Sequence, residues 1–371
     1  MIRSARLGRL WAIIVKEMLA ALRDPRARIT LVVPPILQLV LFGFASTLEV
    51  KNIEIGVYDR DGGAWSHEFV QRLAGSPNVA RIVRIDSPAG LRAAIDDREV
   101  IAALSFDQQF SANVAAGRTA TVQALFDGRR SNAAQIVAGY LERIAAELGV
   151  SMRSRAPPPG GSVVTHWFNP NLDYLWFVMP ALLVVIGAVS AMAVSAQSIA
   201  RERELGTFDQ LMVSPLRVHE ILIGKLVPPV VVGLANGTLF IIVIPTLFGV
   251  PLTGSVPLLY LSLVFYLLAL SGVGLLVSTL AHTQQQAFLG MFLVAVPAIM
   301  LSGYASPVDN MPGWLQTIAL ANPAQHFLVI SEGVFLKAAP ARDLFANIWP
   351  LMLIALVTLS ASALLFRARM E

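Results

Sequence analysis

Six runs of roughly twenty apolar residues constrain this chain more than any other feature, because each is long enough to cross a bilayer. They fall at 29–48, 174–199, 226–248, 258–281, 287–303 and 344–366. A segment that leaves water must pair every backbone N–H and C=O internally, so these runs predict helices. The composition agrees: 56% of residues are hydrophobic, 14% are charged, and mean hydropathy is +0.65. That is too apolar for a water-soluble globule. The expected fold is a polytopic α-helical membrane protein with six transmembrane helices. The chain has no cysteine, which excludes disulfides, thiolate chemistry and cysteine metal sites.

The first 28 residues carry seven Lys or Arg against two acids, Glu17 and Asp24. Arg9, Lys16 and Arg23 recur every seven residues and share one helical face, while Trp11, Ile14, Val15, Met18 and Leu22 gather opposite. This predicts a cytoplasmic interfacial helix over 1–28, with its basic side toward lipid headgroups and a stop near Asp24-Pro25. A signal peptide competes with this reading, but the basic lead is long and no clean A-x-A site follows. Transmembrane helix 1 follows at 29–48, with Pro34-Pro35 as a kink.

Residues 49–172 change character. IEIGVYD (53–59), VARIVRI (79–85), VIAALSF (100–106) and ATVQALF (120–126) have strand length and composition. Helical stretches at 64–74, 87–97, 107–116 and 130–148 lie between and after them. The alternation predicts a compact α/β domain inserted between the first two spans. RAPPPGGS (155–162) reads as a linker.

Helices 2–6 are expected over 173–371. Gly233 and Gly237 have G-x-x-x-G spacing, which allows close helix packing. An even number of spans puts both termini on one side. That side holds the N-terminal basic cluster, the loop Arg201–Lys225, Arg367 and Arg369, so it is cytoplasmic and the α/β domain is extracytoplasmic.

The loop RERELGTFDQLMVSPLRVHEILIGK (201–225) is dense in charge. Thr207 and Gln210 have capping-box spacing, Gly206 permits a turn before them, and Ser214-Pro215 ends a helix. Phe208, Leu211 and Met212 share one face of that helix. A short capped helix over 205–217 suits a socket on a partner. The other reading is an ordinary charged loop obeying the positive-inside rule.

The outer segment 304–343 is too apolar for a free loop and too broken to span. Pro312 starts one short helix containing Trp314, and Asn322-Pro323 restarts a second. The pattern reads as a re-entrant hairpin closing the outer end of a pathway, with a loop lying on the surface as the alternative.

Several chemistries drop out. No G-x-x-x-x-G-K-[ST] and no G-x-S-x-G occurs. The five histidines (67, 166, 219, 282, 326) are scattered and form no metal motif. The basic N-terminus fits lipid better than nucleic acid. With these boundaries no span holds Asp, Glu, Lys, Arg or His in its middle, whereas ion-coupled carriers use such groups. The energy is therefore expected from a partner.

At this point the chain resembles a permease subunit of the type-2 ABC (ABC-2) exporters, in the bacterial class with a large extracytoplasmic domain between the first and second spans. The matching residues are Lys16-Glu17 with Arg23-Asp24-Pro25, GVYDRDG (56–62), Phe126-Asp127-Gly128 and Asn169-Pro170. The most specific match is RERELGTFDQLMVSPL (201–216) with Gly224-Lys225; SGYASPVDNMPGWLQ with Asn322-Pro323 resembles the family's outer hairpin. Phe208-Asp209 stands where Leu-Glu is common in the family.

The resemblance implies a homo- or heterodimer of permease subunits in the bacterial inner membrane. Separate ABC ATP-binding subunits would hold ATP and Mg, so this chain carries no ATPase site and no cofactor of its own. It implies contact with the ATPase by Glu202, Glu204, Gly206, Thr207, Phe208, Gln210, Leu211, Ser214 and Pro215. The interfacial helix (Arg9, Lys16, Glu17, Arg23, Asp24) would brace that contact. The outer hairpin would be built on Pro307, Met311, Pro312, Trp314, Asn322 and Pro323. A periplasmic membrane-fusion adaptor is a further implied partner, and drugs or other amphipathic molecules the implied cargo. The alternatives are an ion-coupled carrier, or a membrane-anchored receptor or scaffold using the α/β domain.

Overall fold

The computed structural model describes residues 2–23, 25–45, 53–76, 79–152, 168–169, 173–214 and 216–370. The chain divides into two compact units, Met1–Ser46 with His166–Glu371, and Thr47–Thr165.

The helical unit begins with α1 (Ile2–Arg23) and α2 (Pro25–Val40), the latter continuing into a π-helical turn at Leu41–Ala45. The break falls at Asp24-Pro25, where a proline opens the new helix; Asp24 itself lies outside the described residues. On α1 the buried stripe is Ile13 and Glu17, four apart, while Trp11 and Leu19 are exposed. The inward face is thus neither the basic nor the apolar face expected from the sequence; it runs between them and carries an acid. Pro34 and Pro35 lie within α2, whose helix runs through them. Leu39 and Gly43 face inward, and a Cβ on Gly43 would meet the Phe248 ring at 2.3 Å.

The second unit contains β1 (Ile53–Asp59), α3 (Ala64–Ala74), β2 (Val79–Arg84), α4 (Pro88–Asp96), β3 (Ala102–Phe106), α5 (Phe110–Ala115), β4 (Val122–Phe126) and α6 (Ser131–Met152). The sheet order is β2-β1-β3-β4, parallel except for β4, which runs antiparallel to β3. Alternate residues serve two cores. Ile53, Ile55, Leu104 and Phe106 pack with Phe69, Phe110, Val137 and Leu141 of α3, α5 and α6. Ala103 and Val100 pack with Leu91 and Ala94 of α4 on the opposite face.

Local chemistry sets the joints of this unit. Ser87 caps α4 by accepting from Gly90 N at 3.0 Å. At the other end of α4, Arg129 donates to the Ile95 carbonyl at 2.6 Å while Asp127 holds its Nε at 2.8 Å. The Phe126-Asp127-Gly128 stretch therefore leaves β4 and clamps the C-terminus of α4 before α6 begins.

The helical unit resumes with α7 (Tyr174–Glu204), α8 (Phe208–Met212), α9 (Val218–Phe248), α10 (Val256–Leu280) and α11 (Gln284–Met300). It closes with α12 (Gly313–Ala319), α13 (Pro323–Leu336) and α14 (Ala341–Met370). Asp173 caps α7, accepting from Leu175 N at 3.1 Å, and Asn169 grips Asp173 through both its backbone groups. α7 is the central helix. Its small residues, among them Ala181, Gly187, Ala188, Ala191 and Ala196, let α9, α10, α11 and α13 approach. Gly233 and Gly237 of α9 face α10: a Cβ would lie 2.5 Å from Leu267 Cδ2 and 2.6 Å from Leu263 Cδ2.

Four of these helices, α7, α9, α10 and α14, are long and apolar enough to cross a membrane. The other two expected spans are shorter: Val32–Phe44 and the 17-residue α11, Gln284–Met300. Seventeen residues rise about 26 Å, slightly less than a hydrocarbon core of about 30 Å.

The 304–343 segment is not a loop lying on the surface. α13 is buried against α7, α10 and α14, with Phe327, Ile330, Val334 and Phe335 inaccessible. Pro307 precedes a 3-10 turn at Val308–Asn310, and Pro312 precedes α12. Gln316 donates to the Met311 carbonyl at 2.8 Å, folding the turn onto α12. Asn322 caps α13 and donates to the Ala298 carbonyl of α11 at 2.6 Å, with Pro323 at the first helical position. Trp314 is exposed.

Candidate functional site

The charged foot of α7 gathers most of the residues singled out in the sequence. Four consecutive side chains leave it toward four different directions. The Arg201 Nη1 donates to the Ala20 carbonyl of α1 at 3.4 Å. Glu202 points at two lysines. The Arg203 Nη1 donates to the carbonyls of Thr279 and Ala281, at 2.7 and 3.0 Å, where α10 ends. The Glu204 Oε2 accepts from the Gln284 N–H at 2.7 Å, the first residue of α11. The last carbonyls and first N–H groups of helices lack intrahelical partners. Arg203 and Glu204 supply partners of the right sign for each, and cations at C-termini and anions at N-termini also suit the helix dipole.

Glu202 is 7% exposed and joins a four-charge cluster in which Glu17 and Lys225 are also buried and Lys16 is exposed. Its Oε1 lies 2.5 Å from Lys16 Nζ and its Oε2 lies 2.8 Å from Lys225 Nζ. Glu17 Oε1 stands 3.1 Å from Lys16 and 3.4 Å from Lys225. Lys225, on α9, is 0% exposed and also reaches Ser198 Oγ at 3.3 Å. Two ammonium groups and two carboxylates balance: the buried Glu17, Glu202 and Lys225 carry one surplus negative charge, which the exposed Lys16 ammonium offsets from the solvent side. Burial works against the Lys16 ammonium, but Glu17 and Glu202 outweigh it and hold its pKa above the ordinary lysine value.

Apolar packing surrounds the cluster. Ile13 of α1 presses on Gly224 of α9, where a Cβ would come within 2.8 Å of Ile13 Cγ2. Ile13, Ile199, Ile221, Leu275 and Phe366 form one buried core there. Arg9 adds an ion pair with Glu220 at 3.6 Å. Ser278 of α10 accepts from the N–H groups of Ile199 and Ala200, at 2.9 and 3.0 Å. The foot of α7 is thus fixed to α1, α9, α10 and α11 at once.

Immediately beyond it the chain turns. Gly206 has φ +69°, the left-handed conformation that favours glycine. The Thr207 hydroxyl donates back to the Glu202 carbonyl at 3.3 Å, so it serves the end of α7. α8 is only five residues long, Phe208–Met212, shorter than the expected 205–217 helix, because Gly206 and Ser214 break the chain on either side.

The expected apolar face also needs correcting. Phe208 turns inward: its ring meets Phe366 edge-on at 6.2 Å and lies 4.9 Å beneath the Arg203 guanidinium. The side chains of Leu211 and Met212, and all of Pro215, lie outside the described residues. Among the described residues, the apolar groups presented outward are Leu205, 62% exposed, and Val213, 86% exposed. Thr207 and Gln210 are exposed, Ser214 is half-buried, and Arg23 is exposed at the end of α1.

Glu202 is therefore not a surface contact residue as the sequence suggested; its burial makes it an internal tie. Lys225 was the residue least visible as a functional group. The span boundary drawn after it hid that α9 starts at Val218 and carries the lysine inside. The readable signal was Gly224-Lys225 itself, which the family resemblance had already singled out beside the 201–216 stretch.

Comparison with known proteins follows the same line. Residues 26–364 match the model for the ABC-2 family transporter protein. The chain is 42% identical over 363 residues to the Escherichia coli (strain K12) protein named "Probable multidrug ABC transporter permease YbhR", covering 97% of this chain and 99% of that one. It is 28% identical to "Probable multidrug ABC transporter permease YbhS" of the same organism, covering 96% and 94%. It is 29% identical over 265 residues to the "Inner membrane transport permease YhhJ", covering 70% and 69%.

Proposed function

The chain belongs to the ABC-2 transporter family, and from that premise we propose that it is the membrane-spanning permease subunit of an ATP-driven exporter. ATP and Mg bind separate ATP-binding subunits that dock at the 205–214 turn. A second permease subunit, identical or related, completes the translocation pathway, and a periplasmic adaptor receives the cargo. The chain crosses the bacterial inner membrane six times, with α2 and α11 as the two short spans. Both termini are cytoplasmic and the α/β unit is extracytoplasmic. The relatives named as multidrug permeases, and the apolar spans, favour drugs or other amphipathic molecules as cargo.

The observation that carries this reading is the fixed foot of α7. A turn bearing exposed Leu205 and Val213 is attached, through four adjacent side chains, to α1, α9, α10 and α11. A partner that binds this turn differently in two states shifts all these helices together, and such differential binding is what moves an equilibrium. α1 and the cluster brace the contact from inside, and the hairpin α12–α13 closes the outer end.

The test is purification of the solubilised chain from its host. A stoichiometric ABC ATPase should co-purify, and should be lost from a Leu205→Asp/Val213→Asp variant that still reaches the membrane. Recovery without an ATPase, or retention by that variant, would refute the docking assignment. Transport that persists without an ATPase and collapses with an uncoupler would favour the ion-coupled carrier.

A further inference from the structure

The α/β unit contains a cavity of about 490 Å³ between the β3–β4 half of its sheet and the helices α5 and α6. Its floor is Phe69, Leu104, Phe110 and Leu141, all buried. Cavities of this size and lining are those that hold small organic ligands. The mouth carries Arg118 and Glu142, both exposed, and among the described residues neither has an ion-pair partner. An apolar interior with one cation and one anion at its rim is complementary to a molecule with an apolar body and a head group of both signs.

We infer that this unit is a ligand-binding domain for single-chain zwitterionic amphipaths, whose alkyl chain enters the cavity and whose head group lies between Arg118 and Glu142. The bound molecule stays intact and no bond is made or broken. The exporter reading bears only on where the ligand goes next, since binding here needs no ATPase.

The experiment uses the full chain in nanodiscs and a dodecylphosphocholine carrying a diazirine in its chain. Photolabelled peptides are then mapped. In one arm the probe is added from water below its micelle-forming concentration; in the other it is loaded into the bilayer first. Labelling of peptides from 110–126 and 138–149 in the first arm supports a dissolved cargo as the ligand. Labelling there only in the second supports a membrane lipid. Arg118→Ala/Glu142→Ala, a surface change that leaves the core intact, should weaken labelling about tenfold. Ala124→Trp should fill the cavity and abolish labelling. A dodecyl maltoside probe of equal chain length should label weakly. Labelling confined to the spans in both arms, labelling unchanged in the rim variant, or equal labelling by the uncharged head group would overturn the assignment. Loss of ATPase binding would not affect these results, so failure of the exporter reading is separately visible.

Discussion

Replacing Glu202 by methionine removes one of two carboxylates that hold Lys225. What remains is Lys16, Glu17 and Lys225, a net positive charge in a site where Lys225 has no access to water. Lys16 is exposed to water, so the group left short of partners is Lys225, whose one remaining carboxylate, Glu17 Oε1 at 3.4 Å, is shared with Lys16 at 3.1 Å. Stranding a buried charge in this way costs about 3–5 kcal/mol. Lys225→Met leaves the opposite surplus and should cost a similar amount. The double variant Glu202→Met/Lys225→Met leaves Lys16 and Glu17 as a neutral pair, and replacing a buried pair by apolar groups of similar volume is often neutral or stabilising. The two substitutions should therefore couple by at least about 3 kcal/mol, against about 0.2–1 kcal/mol for an exposed pair. A double-mutant cycle on reversible unfolding in mixed micelles measures this directly. Single variants costing less than about 1 kcal/mol, or costs that simply add, would refute the argument that Glu202 and Lys225 form a buried tie.

Two other outcomes are expected. Gly206→Ala places a β-carbon at φ +69° with no neighbour to clash against, so its cost should be backbone strain alone, about 1–2 kcal/mol. Gly206→Asn should cost less, which unfolding of the two variants would reveal. In the α/β unit, burial raises the Asp61 carboxyl. The Ser111 hydroxyl and N–H and the Gly63 N–H outweigh that and hold it below the usual carboxylate range. A carboxylate with a depressed folded pKa contributes stability in full above its unfolded value, near 3.9, and loses it as pH falls through the folded value. Hydrogen exchange of α3 and α5 in the full chain should show Asp61→Asn less protected than the parent at neutral pH. The difference should vanish in acid; a difference independent of pH would refute it.

The α/β unit is legible from sequence because its signals are local. Short apolar runs of strand length mark β1 and β3, Ser87-Pro88 marks the start of α4, and Asp127-Gly128 marks the turn before α6. The long spans are legible because length and apolarity suffice. What the sequence conceals is rotation about a helix axis. Nothing local shows that Glu17 and Ile13 face inward on α1 while Trp11 faces out, nor that Phe208 turns onto Phe366. Those choices are made by Gly224, Lys225 and Phe366, each distant in sequence from the residue it orients. The same holds for Lys225: a charge near the end of an apolar run looks like a boundary marker until its partners, 23 residues back on α7 and over 200 back on α1, are brought beside it.

The four ties at 201–204 also set which kinds of sequence change this region can absorb. A substitution removes one attachment and leaves the others in place. A deletion or insertion of one residue upstream in α7 turns every following side chain by about 100°. Arg201, Glu202, Arg203 and Glu204 would then each face a neighbour chosen for another. The length of the segment between Ser198, which touches Lys225, and Gly206 is in consequence more tightly specified than the identity of any one residue in it.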